Sequence, residues 1–349
     1  MRDSLLSRFR AAFWGAWLGE TIGAQRWKQP VLQPIWGEAF TQAETNQPPT
    51  TSNQDRKLTG TGLLIAQTKR LLAEPHLPAE LDLAWLDAQP RTPIEWVMAT
   101  LPLALLYHDQ PAVLQTTLQT ALRITPETAS QQLEAPLDGT AEPLNQAAIA
   151  MAITGQTISL LLRERFVPQE LILQVMQDLE LPSDAALSQQ LGQALMQVQA
   201  WLDRPTSLAT VSDWIRSVAA ESNLRDVLPI VLALYSILST PDSWRLSLAR
   251  LVQLSYPTPS AKVGSCTLAG ALSGLYNGLS GLPLVERGEL LATGNSVAKA
   301  DLLQLADHLL ARWSGGRFCR ESRVVLTGRP PANKTADSTP RSEGQLAYC

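Results

Sequence analysis

Cysteine and histidine are scarce in this 349-residue chain. The three cysteines, Cys266, Cys319 and Cys349, are odd in number, far apart and without a CxxC pair. That spacing argues against a disulfide framework and fits a reducing, cytoplasmic compartment. His76, His108 and His308 form no HExxH motif or other ligand-spaced pair, and each reads as a surface or helix-end residue. Basic excess is absent too: 28 Lys and Arg are set against 32 Asp and Glu, a net charge of −4, with both signs mixed along the chain. Nucleic acid is therefore not expected as a partner. The longest apolar run, residues 227–238, is shorter than the roughly 20 residues a bilayer demands, so no membrane span is expected. Arg2, Arg8 and Arg10 followed by AAFWGAWLG have the outline of a secretory leader, but Glu20 follows at once and no A-x-A site closes the run. Nucleophile-elbow GxSxG, phosphate-loop GxxxxGK[ST] and dinucleotide GxGxxG motifs are all lacking.

Strand signals are lacking as well, since no segment alternates Val, Ile, Thr and aromatics with polar residues. Apolar residues instead recur at three- and four-residue intervals over 58–72, 94–106, 111–122, 144–162, 168–179, 185–202, 211–220, 227–238, 244–254, 266–279 and 297–313. Thr92-Pro93, Thr125-Pro126, Ser183-Asp184, Thr206, Ser222 and Thr240-Pro241-Asp242 supply cap or first-turn signals ahead of several runs. The pattern predicts an all-α fold, a single compact multi-helix domain of about a dozen helices. Two stretches depart from it. Residues 26–57, rich in Pro, Gln, Thr and Asn around Trp27 and Trp36, read as a long ordered flap. Residues 328–349 read as a disordered tail, leaving 1–327 as the domain.

Glycine is placed with a purpose. Gly15, Gly19 and Gly23 stand four apart, extended by Ala11, with Phe9, Phe13 and Trp17 on the opposite side. Gly270, Gly274 and Gly278 repeat the spacing after Cys266. Each glycine inside a helix costs roughly 0.5–1 kcal/mol relative to alanine. The offsetting gain expected is close backbone approach, helix on helix or helix on ligand. Cys266 sits near a helix start, where the dipole lowers a thiol pKa. Its place on the glycine row favours a buried small residue instead.

These residues spell a pattern. Gly15-Ala16-Trp17-Leu18-Gly19-Glu20-Thr21-Ile22-Gly23 resembles the opening GxxxG-[D/E]-xxG helix of the ADP-ribosylglycohydrolase family, enzymes that remove ADP-ribose from modified proteins. Met98-Ala99-Thr100-Leu101-Pro102-Leu103 is similar to its M-R-x-x-P-L segment, with Ala99 in place of the arginine. Asp226-Val227-Leu228-Pro229 and the run to Leu238 resemble the helix before the family's last motif. Residues 267–278 followed by Gly281-Leu282-Pro283 are similar to its closing AAIAGALAGAYxG…IP stretch. The resemblance spans roughly residues 5–315 and implies an all-α fold with a cleft between the two glycine helices and the 26–57 loop.

The family's two acidic motifs are not matched. Where T-D-D-T is implied stands Thr59-Gly60-Thr61-Gly62, and where D-T-D-T is implied, in the loop before the last glycine helix, stands Ala261-Lys262-Val263-Gly264. No Asp or Glu occurs between Ser255 and Thr267. The family uses Mg²⁺ bridged by such carboxylates, and Mg²⁺ is a hard cation that wants near-octahedral oxygen ligands. Thr59 and Thr61 offer neutral oxygens, Ala261 and Val263 none, and Lys262 repels cations. No metal, no cofactor and no catalytic residue is expected.

Glu20, Glu38, Asp55, Thr59, Thr61 and Lys262 are the candidates for the remaining cleft. Glu20, Glu38, Glu44 and Asp55 make an alternative acid site on one reading and solvated acids on the other, Glu20 then being a helix-face hydrogen-bonding residue. Arg26, Lys28, Arg56, Lys57 and Lys262 likewise read as an anion site or as screened surface charge. Arg312, Arg317, Arg320, Arg323 and Arg329 read as a docking patch or a solvated helix end. Three functions stay open: a catalytically degenerate binding or scaffolding module for an ADP-ribose-like ligand or a protein partner, a metal-independent hydrolase, and a structural subunit whose cleft is filled.

Overall fold

The computed structural model describes residues 3–28, 60–74, 92–117, 141–179, 186–221, 223–282 and 296–315. Most of the expected 26–57 loop, the expected tail, Glu38, Glu44, Asp55, Thr59, His76, Cys319 and Cys349 lie outside these residues. So do the cap signals at Thr125, Ser183 and Ser222.

Among the described residues the chain is α-helical with short 3-10 turns and no strand. In chain order the helices are α1 (Leu5–Lys28), α2 (Gly60–Ala73), α3 (Pro93–Leu106), α4 (Ala141–Leu162), α5 (Leu171–Asp178), α6 (Ala186–Asp203), α7 (Leu208–Glu221), α8 (Leu228–Ser239), α9 (Trp244–Gln253), α10 (Pro259–Asn277) and α11 (Ser296–Trp313). Residues 111–117 form a further helical segment. No described helix is long and apolar enough to cross a membrane.

Local chemistry sets several boundaries. Thr92 caps α3 reciprocally, its hydroxyl accepting from the Glu95 N–H while Glu95 accepts from the Thr92 N–H. Ser243 caps α9 through the Leu246 N–H. Thr240, read above as part of that start signal, instead closes α8. Its hydroxyl donates back to the Ser236 carbonyl, 3.1 Å away, which suits a helix end better than a helix start. The largest shift is at α10. Thr258 accepts from the Ala261 N–H at 3.2 Å and Pro259 takes the first helical position, so the helix begins well before Cys266. A proline there gives up an N–H that has no helical partner anyway.

The two glycine rows meet. A Cβ built on Gly15 would lie 2.1 Å from the Gly270 carbonyl oxygen, and one on Gly19 would lie 2.0 Å from that of Cys266. One on Gly274 would lie 2.1 Å from the Ala11 carbonyl oxygen. Helices α1 and α10 therefore touch backbone to backbone, and this contact offsets the propensity cost of the glycines. This is the close helix-on-helix approach read as one return for the glycines, and nothing larger than a hydrogen fits at the contact.

Around this pair the core is continuous. Phe9, Phe13 and Trp14 of α1 are fully buried, and α8 is buried along its whole length from Leu228 to Leu238. Buried Arg8 donates to the Leu275 and Leu161 carbonyls at 2.7 and 2.5 Å, tying the C-terminal turns of α10 and α4 to α1. Both carbonyls lie in the last turns of their helices, where intrahelical donors run out, and a guanidinium has donors to spare for them. Arg10 holds Asp307 of α11 in a two-pronged pair at 2.6 and 2.7 Å. His108 lies just past α3, the helix-end position expected, but it is buried rather than on the surface. Its Nδ1 is 2.7 Å from the Leu105 carbonyl oxygen and its ring packs beside Trp313 and Phe9.

Candidate functional site

A cavity of about 560 Å³, within the size range of small-molecule sites, is lined from six elements. Glu20 of α1 reaches it, and Gly60 is the first residue of α2. Thr92, Ile94, Glu95 and Met98 come from the start of α3. Arg225, Asp226 and Pro229 come from the 3-10 turn Asn223–Asp226 and the first turn of α8. Thr258, Ser260, Ala261, Val263, Gly264 and Thr267 come from the cap and opening turns of α10. Four helix N-termini thus converge on one cavity, with an apolar wall of Ile94, Met98, Pro229, Ala261 and Val263.

At α2, α3 and α10 a side chain already accepts one first-turn N–H. Glu20 Oε2 accepts the Thr61 N–H at 2.8 Å, so a residue of α1 caps α2 across the fold. This is the hydrogen-bonding role read for Glu20, and its target is another helix. Glu95 and Thr92 satisfy one another at α3, and Thr258 satisfies Ala261 at α10. A carboxylate at a helix N-terminus is also favoured by the helix dipole.

The candidates separate. Glu20 lines the cavity. Thr61 sits next to it, buried, with no hydrogen-bond partner for its hydroxyl. Lys262, expected in the cleft, does not line it. Because α10 starts at Pro259, residues 261–264 are helical rather than a loop. Residues 260, 263, 264 and 267 then share the cavity face, whereas Lys262 stands four residues before Cys266 on the glycine row. Lys262 is buried there, 8% exposed. Of the other cations considered for an anion site, Arg56 and Lys57 lie outside the described residues, as do the side chains of Arg26 and Lys28. Of the arginines in the candidate docking patch, only Arg312 is described.

Glu95, Arg225, Asp226 and Met98 line the cavity without having been singled out for it. The capping box at Thr92 marked Glu95 as a helix-start residue, but nothing local says that this start faces a cavity. Thr258-Pro259 repeats the signature of Thr92-Pro93 and was the available signal for where α10 begins.

Among the described residues no donor set matches the family's Mg²⁺ site. At the positions of the family's second acidic motif, Ala261 and Val263 carry no side-chain oxygen. The Thr267 hydroxyl donates to the Val263 carbonyl at 2.8 Å. Among the described residues no three acidic, His or Cys side chains are placed to hold a metal ion. Cys266, fully buried against α1, has its thiol pushed up to about 12 by burial, against a weaker opposing pull from Lys262. The dipole effect weighed for it is thus outweighed by desolvation.

An all-helical domain with two helices joined along facing glycines, and a cavity ringed by helix N-termini, is the class of protein defined by this geometry. The chain belongs to the ADP-ribosylglycohydrolase family, whose model matches residues 87–317. That match contains the segment at Met98, the α8 approach and the closing glycine helix, and begins after the opening glycine motif. No curated protein matches the chain.

Proposed function

We propose that this chain is a family member that keeps the cleft as a metal-free binding module for a small ligand and has lost hydrolysis. The observation that carries the reading is the open cavity bordered by Ser260, Ala261, Val263 and Gly264, where the family's carboxylates would be expected. The Glu20 cap on Thr61 and the lack, among the described residues, of three acids placed to hold a metal ion support the loss of a dinuclear Mg²⁺ centre. A cavity of about 560 Å³ speaks against a filled, purely structural cleft. A cytoplasmic location belongs to the same reading, resting on the sparse, unpaired cysteines. So does the division into a domain over 1–327 and a tail over 328–349.

Calorimetric titration with ADP-ribose, with and without Mg²⁺, tests it, alongside an assay for ADP-ribose release from a modified protein. The expected results are binding whose affinity Mg²⁺ leaves unchanged, and no turnover. Binding strengthened by Mg²⁺ would overturn the reading. Metal-independent turnover would select a hydrolase built on other groups.

A further inference from the structure

We infer that Trp313 is an acid-sensitive latch: protonation of His108 releases the last turn of α11 from the end of α3. The His108 side chain, in a residue only 4% exposed, lies where four elements meet. Phe9 of α1 meets the imidazole edge-on, with ring centroids 6.0 Å apart. Trp313, the last residue of α11, packs against it at 4.9 Å. The Nδ1 atom is 2.7 Å from the Leu105 carbonyl oxygen of α3. The backbone is pinned as well, for the buried Ser159 hydroxyl of α4 donates to the His108 carbonyl at 2.6 Å.

A proton on this ring is opposed by its surroundings. Burial strips the imidazolium of water, and Arg8 of α1 and Arg163 just after α4 add like charge, against the pull of the Leu105 carbonyl and Asp109. Tyr107 beside it is held neutral by burial. On α11, Asp307 is engaged by Arg10, and Arg312 donates to the Glu74 carbonyl at 2.6 Å. His308 stands on a different face of α11 from Trp313. Arg8 cannot shed its charge, and its bonds to the Leu275 and Leu161 carbonyls hold it in place. Relief therefore comes from water reaching the ring.

Trp313 is the wall that can move. Phe9 is fully buried in the core, and α11 is anchored upstream by buried Ala306 and Leu309 and by the Arg10–Asp307 pair. Trp313 itself is half-buried and is followed by exposed Ser314 and Gly315. Its Nε1 donates to the carboxylate of exposed Asp109 at 3.3 Å, a long bond that water can replace. Swinging this residue out wets His108 without unpacking the core. The covered ring takes a proton less readily than the wetted one, so falling pH favours the open latch. The effect begins near the ordinary imidazole value of about 6.5 and grows by up to about tenfold per pH unit.

Hydrogen exchange of the full chain at pH 7.5 and pH 5, corrected for the intrinsic pH dependence of exchange, reads the latch. Protection of residues 310–314 is expected to fall at least about threefold at the lower pH, while α8 and the middle of α10 keep theirs. His108→Gln should abolish that fall, and His308→Gln should leave it intact. An NMR titration of the His108 ring gives a second reading that does not depend on the His108 variant. Trp313→Ala removes the cover and should move the midpoint upward from that of the parent chain, towards about 6.5. Equal protection of residues 310–314 at both pH values would overturn the inference. So would a fall that persists in His108→Gln, or a His108 midpoint that Trp313→Ala leaves unmoved.

Discussion

Gly15 and Gly270 face one another across the α1–α10 contact with so little space between them that a Cβ on either would come within 2.1 Å of the other's carbonyl oxygen. The clash is with backbone, which cannot swing aside as a side-chain tip can. Gly15→Ala or Gly270→Ala is therefore expected to lower unfolding stability by about 3 kcal/mol, the upper end for overpacking. Gly192→Ala in α6 is the control. A Cβ there would sit 3.6 Å from Met176 Cε, an ordinary contact, so a gain of about 0.5–1 kcal/mol from helix propensity is expected. Urea unfolding of the three variants checks both signs; equal effects at the three sites would refute the backbone-contact account.

The Glu20 cap on Thr61 gives a graded test. Glu20→Ala removes the acceptor for the 2.8 Å bond and should cost about 1 kcal/mol, the usual value for a lost cap. Glu20→Gln keeps an oxygen in place and should cost less. Hydrogen exchange at the Thr61 amide should accelerate in Glu20→Ala and change little in Glu20→Gln.

Cys266 should be chemically silent in the folded protein, since its thiol is buried and pushed up to about 12. Alkylation followed by peptide mass spectrometry reports this site independently of Cys319 and Cys349. Little label at Cys266 is expected at pH 8 without denaturant, and complete label in urea. Rapid native labelling would contradict the tight α1–α10 seam.

His108 makes stability depend on pH. Burial first, and then Arg8 and Arg163, hold its pKa below the usual 6.5, while its Leu105 contact and Asp109 pull the other way. The unfolded chain therefore binds the proton more readily than the folded one. The His108 contribution is complete above about pH 6.5 and declines as the pH falls from there towards the lowered folded value. Melting temperatures between pH 7.5 and 5 should drop less steeply in His108→Gln than in the parent chain. A parallel pair of curves would show that His108 is not the group responsible.

How much of this was legible in advance depends on range. The helices and the all-α class follow from three- and four-residue apolar spacing, which is a property of one segment at a time. The glycine rows were legible for the same reason, because a four-residue repeat lines up on one face whatever the neighbours are. Glu20 could be read as a hydrogen-bonding helix-face residue, but its partner Thr61 lies 41 positions away and no local rule names it. Lys262 was misplaced because the start of α10 was set too late, and a helix that begins at Pro259 turns that side chain off the cavity face.

By itself the sequence determined which segments are helices, which faces carry glycine, and that Ala261 and Val263 bring no carboxylate to the last motif. Only the tertiary structure decided that the glycine faces close completely on each other and that a cavity lies where helix N-termini meet. It also decided that Glu95, Arg225 and Asp226 border that cavity. The physical reason is that periodicity and capping act within a few residues. Where helix ends meet is set by how whole helices pack, and the backbone contact of α1 with α10 anchors that arrangement.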